Sequence, residues 1–102
     1  MITSTSNQKV KELIRLREKS KVRDEEGIFL VEGPRMVEEI PAEWIDCMYI
    51  SESYEKRCPE QIAAATAAGV STEILSDEVF ARVSDTKTPQ GILAAVHMIR
   101  YS

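Results

Sequence analysis

The chain has 102 residues, 43% hydrophobic and 29% charged, with a net charge of −4, which fits one small soluble domain. No apolar run approaches the roughly 20 residues a bilayer-spanning helix needs. The opening "MITSTSNQKVK" lacks the apolar segment of a secretory signal, so a cytoplasmic location is expected.

Within "TSTSNQ", Ser6 or Asn7 is the expected cap of a first helix. Val10, Leu13 and Ile14 then recur at helical spacing. Lys11, Arg15 and Lys19, four residues apart, are expected on a second face of the same helix. From Lys9 to Arg23 seven cations oppose only Glu12 and Glu18, a balance of +5, which leaves −9 on the remainder of the chain. Like charges along one helix face repel by a few tenths of a kcal/mol per pair. A basic end on an acidic body points to a polyanion partner, against the alternative of a plain solvated face.

Gly27 closes the basic region, and "IFLV" (28–31) reads as a buried strand. Gly33 and Pro34 turn into a short helix with proline at its first position and Met36, Val37 and Ile40 facing inward. Pro41 ends it, and Trp44 to Ile50 is a second apolar strand. "SESYEKRC" is a polar connection with room for a helical turn. "PEQIAAATAAG" is a helix opened by Pro59 and closed by Gly69. "VSTEIL" is an edge-like strand, Ser76 caps "DEVFARV", and Ile92 to Met98 form the last strand. Strands alternating with helices predict an α/β layered domain, with residues 1–102 as one unit.

The chemistry-bearing residues are few. Cys47 and Cys58 match no zinc or redox spacing and are expected to be reduced and structural. His97, the one histidine, lies in the last strand with no nucleophile or acid patterned around it. The four glycines are scattered, so no phosphate-binding loop is present. Glu32 leaves a buried strand directly before a Gly–Pro turn, where a carboxylate suits backbone amides. Phe29, Trp44, Tyr49 and Phe80 fall at core positions, leaving only Tyr54 and Tyr101 for the surface. That is too few for a stacking platform. In "SDTKTPQGILAAV" (84–96) a polar run feeds directly into a core strand. Thr86, Lys87, Thr88 and Gln90 offer hydroxyls, a charge and an amide, and Gly91 a close backbone approach. The same residues also suit an ordinary turn.

"SNQKVKELIRLREKSKVRDEEGIFLVEG", "LSDEVFARVSDTKTPQGILAAV" and the strand–helix spacing between them resemble the N-terminal substrate-binding domain of SpoU-type (TrmH family) RNA methyltransferases, of the SPOUT class. The resemblance covers nearly the whole chain. It implies an α/β/α three-layer sandwich around a small mixed sheet, similar to ribosomal proteins that bind kink-turn RNA. It implies a parent enzyme that methylates a ribose 2′-hydroxyl of rRNA or tRNA using S-adenosylmethionine. The knotted catalytic half, which binds that cofactor and holds the family dimer together, would follow "HMIRYS". This chain alone is then expected to be a monomer with no catalytic, cofactor-binding or metal-binding residue. Its expected RNA contacts are Asn7, Lys9, Lys11, Arg15, Lys19 and Arg23, then Glu32, and the loop residues Thr86, Lys87, Thr88, Gln90 and Gly91. The competing expectation, favoured by the acidic body, is a protein–protein module without RNA contact.

Overall fold

The computed structural model describes residues 1–84, 87 and 89–98. Thr86, Thr88 and Tyr101 lie outside the described residues. Helix α1 spans Gln8–Glu18, α2 Ser20–Glu26, strand β1 Ile28–Glu32 and α3 Pro34–Glu38. A 3-10 turn, Ala42–Trp44, enters β2, Ile45–Ser51. Then come α4, Glu52–Arg57, α5, Pro59–Ala67, β3, Thr72–Leu75, α6, Asp77–Val83, and β4, Ile92–His97.

The strands form one mixed sheet in the order β1-β4-β2-β3. The last strand lies between β1 and β2, antiparallel to both, while β2 and β3 run parallel. Alternation along each strand supplies both faces. Cys47, Tyr49, Leu93 and Ala95 meet α1 and α6 through Val10, Leu13, Val79 and Phe80. Met48, Ile50, Ile92, Ala94 and Val96 meet Val37 of α3, Tyr54 of α4 and Ile62 of α5 on the other. This is the expected three-layer α/β/α sandwich. The central position of β4 explains its buried run from Ile92 to Val96, which has no polar face to show.

Four expectations need correction. "IFLV" (28–31), expected as a buried strand, is β1 at the edge of the sheet, where only Val31 is buried. The basic segment is two helices: Lys19 is extended (φ −123°, ψ 105°) between α1 and α2, so it does not share a helical face with Lys11 and Arg15. Met36 is 55% exposed, although Val37 and Ile40 of the same segment pack inward. Tyr54 is buried, because "SESYEKRC" forms a full helix, α4, that lays its ring on the sheet.

Candidate functional site

The register places one set of strand ends together. Glu32 pairs with Leu93 and Ile50 with Ile92, so the carboxyl ends of β1 and β2 flank the start of β4. Three segments meet the sheet here: the Gly33–Pro34 turn into α3, Ser51 into α4, and residues 89–91 into β4. Bonds between them fix the edge. Gly33 N donates to Ile92 O at 3.0 Å and Ser51 N to Gly91 O at 2.8 Å. Gly91 (φ +97°) is buried against Ser51 and Tyr54, so its close approach serves the interior. Gly33 (φ +105°) leaves room for the Gln90 side chain, whose Oε1 would stand 3.1 Å from any Cβ placed there.

Four arginines surround this edge. Arg17, at the end of α1, donates through Nη1 to the carbonyls of Arg82 (2.6 Å) and Ser84 (3.2 Å). Arg23 of α2 donates to Leu16 O (2.6 Å) and Arg17 O (3.0 Å). Both guanidinium groups thereby satisfy carbonyls at helix C-termini, where a cation also complements the dipole. With Glu32, Phe29 and Leu93 they line a cavity of about 330 Å³. Glu32 accepts from Ser84 Oγ at 2.5 Å, tying the end of β1 to the end of α6. On the other side of Glu32, Arg35, Met36, Arg57 and Gln90 line a recess of about 690 Å³. The Arg57 guanidinium lies 5.6 Å from the Tyr54 ring centroid and donates to Gln90 O at 3.4 Å. Burial pushes the Tyr54 phenol up, and that hydroxyl bonds Gln61 Oε1.

The expected contact residues divide. Arg23, Glu32, Gln90 and Gly91 stand at this edge, and Lys87 is exposed in the segment leading to it. Lys11, Arg15 and Lys19 are exposed on or beyond α1. Lys9 is drawn to the β3 side, where its Nζ meets Glu73 Oε1 at 2.5 Å; that bond holds its ammonium above the ordinary range. Asn7 Oδ1 accepts from Lys9 N at 2.9 Å as the helix cap.

Sequence reasoning passed over Arg17, Arg35 and Arg57. Arg57 had a readable signal: Ser51 as cap, Glu52 and Glu55 in the first turn, and Lys56 and Arg57 in the last describe a helix aligned with its dipole. Arg35 follows a strand-to-helix turn at a carboxyl strand end, a place where ligands gather in layered α/β sheets.

Other chemistry is thin. Cys47 and Cys58 are both unbridged, and burial pushes the Cys47 thiol up, away from reactivity. His97 Nε2 stands 3.3 Å from Asp46 Oδ1 on the exposed far end of β4. Among the described residues no cluster of His, Cys, Asp or Glu could hold a metal, and no helix is long and apolar enough to cross a membrane.

Residues 7–94 match the family model of the MRM3-like substrate-binding domain. The chain belongs to that family. Over 97 residues it is 36% identical to the 23S rRNA (guanosine(2553)-2′-O)-methyltransferase RlmP of Bacillus subtilis, covering 95% of this chain and 37% of that protein. An AdoMet-bound rRNA methyltransferase from Sinorhizobium meliloti superposes with a TM-score of 0.75 at 26% identity, over 99% of this chain and 37% of that one. An RNA 2′-O ribose methyltransferase gives a TM-score of 0.75 at 30% identity, over 99% and 38%. The resemblance to SpoU/TrmH methyltransferases read from the sequence is thus borne out. This MRM3-like domain spans under two-fifths of the length of those relatives. Among the described residues no buried side-chain polar atom lacks a partner that a ligand could supply.

Proposed function

We propose that this chain is the RNA-recognition domain of an S-adenosylmethionine-dependent 2′-O-ribose methyltransferase acting on structured rRNA or tRNA. Methyl transfer and cofactor binding belong, in this reading, to a further knotted domain. The observation that carries it is the gathering of Arg17, Arg23, Arg35 and Arg57 at one sheet edge of a chain whose net charge is −4. Guanidinium groups suit phosphates bidentately, and a local basic patch on an acidic protein steers RNA to one place instead of coating the surface. Exposed Lys11, Arg15, Lys19 and Lys87 extend the patch, Gln90 supplies an amide for sugar or base edges, and Glu32 positions the edge through Ser84. Family membership and the activity named for the Bacillus relative support RNA as the polyanion.

The first probe is a 23S rRNA fragment spanning the guanosine named for that relative, titrated against the chain by filter binding over a range of salt. Contact with about four phosphates gives a log–log slope of about −3 to −4. Charge reversal of Arg35 and Arg57 together lowers affinity by at least about tenfold. A slope near zero, or a double variant that binds like the parent chain, contradicts the proposal. A protein-binding module without RNA contact would give that flat response.

A further inference from the structure

Among the described residues only Met1, at the terminus, and Met36 are exposed large hydrophobic side chains. The exposure of Met36 is not forced by a lack of core to join. Val37 and Ile40 of the same segment pack on the sheet, and the α3 backbone turns Met36 toward the recess beside Arg35, Arg57 and Gln90. An isolated apolar side chain in water needs no explanation, but one flanked by two cations and an amide within a cleft does. Arg57 is no loose surface cation. Its guanidinium carbon lies 5.6 Å from the Tyr54 ring centroid and its Nη2 donates to Gln90 O at 3.4 Å, two interactions that bias it toward the recess before any ligand arrives. The Gln90 side chain is seated over Gly33, where a side chain would crowd it.

We infer that this recess takes one unpaired, unstacked nucleotide of the RNA. The base lies against the Met36 thioether and the Arg57 guanidinium, the Gln90 amide meets its hydrogen-bonding edge, and Arg35 neutralises an adjacent phosphate. The inference rests on the RNA reading above and sharpens it. Charge argues for the nucleotide: two arginines against the single carboxylate of Glu32, itself bonded to Ser84, leave the lining net cationic, while an apolar thioether and a planar guanidinium suit a base face and not a phosphate alone. A-form duplex keeps its base faces stacked and its deep groove closed to side chains, so a paired segment has nothing to place here.

Two short RNA hairpins, identical except that one carries a single bulged nucleotide, are titrated with the 102-residue chain. The bulged hairpin binds about tenfold more tightly, the value of one stacked base. Met36→Ser removes most of that preference, and Arg57→Lys does likewise, because lysine keeps the charge and loses the plane. Equal binding of both hairpins with a steep salt dependence overturns the nucleotide recess and leaves RNA recognition standing. Failure of both hairpins to bind overturns both readings and leaves a protein segment as the occupant. A preference that survives in both variants places the base elsewhere and also overturns the inference.

Discussion

Gly91 has φ +97°, and a methyl group there would stand 2.6 Å from Ser51 Oγ and 2.8 Å from Tyr54 Cβ. Neither neighbour can retreat, since both are buried beneath the edge. Gly91→Ala therefore combines backbone strain with overpacking and lowers stability by roughly 2 to 4 kcal/mol, read as a drop in the urea midpoint. Asn7 is a milder case. Losing its cap on Lys9 N costs about 1 kcal/mol, and Asn7→Ala is expected to shift the same midpoint with RNA affinity unchanged. Asp77 gives the acid limb of stability a defined sign. Hydrogen bonds from the Ser53 hydroxyl and amide hold its carboxyl below the ordinary 3.8. A depressed carboxyl stabilises the fold above its unfolded pKa, and the contribution disappears as pH falls below about 3.8 through the folded value. Ser53→Ala removes the hydroxyl's share of that acid dependence and leaves the share of the backbone amide. The exposure of the pair keeps the effect small, so the readout is a comparison of the two pH–stability curves.

At the scale of elements, the basic segment shows what patterning conveys and what it hides. The α1 stripe was legible at Val10 and Leu13 because one face of a 3.6-residue period must be buried; its third buried member is Leu16, while Ile14, expected in the stripe, is half-buried. The break at Lys19 was not. It depends on the Arg23 guanidinium reaching back to Leu16 O and Arg17 O, a tertiary contact with no local trace beyond Ser20, a weak helix former. Arg23→Met is expected to leave α1 in place and to raise amide hydrogen exchange through Ser20–Glu26. Equal protection in both proteins would assign α2 to some other anchor. Helix α4 was half legible: its cap and dipole-matched charges were present in "SESYEKRC", but a six-residue segment with one aromatic has too little periodicity to declare itself. Arg57 went unnoticed for that reason. The charge run from Lys9 to Arg23 contains Arg17 and Arg23 of the edge, whereas Arg35 and Arg57 come from α3 and α4, which the pairing of β1 and β2 with β4 brings to the same edge.

For the whole molecule, the acidic excess and the basic edge belong to one design. In the proposed reading, net repulsion from polyanions elsewhere, with local attraction at the carboxyl strand ends, would give orientation as well as affinity. The chain is expected to sediment as a monomer, and a tight dimer at micromolar concentration would contradict that. The layered fold was readable from alternating strand and helix signals, and the burial of β4 from its unbroken apolar run; its central place was not, since "IFLV" carries the same signal and lies at the edge as β1. The site was readable only in part, at Arg23, Glu32 and Gln90, because a basic patch assembled from distant segments has no sequence period. The central claim is tested most directly by mapping backbone amide shifts as structured RNA is titrated into the labelled chain. Perturbations concentrated at Arg17, Arg23, Glu32–Met36, Arg57 and Gln90–Gly91 are the predicted result. Perturbations confined to the Lys9–Glu73 end or to the exposed face of α5 around Glu60, with this edge silent, would contradict it.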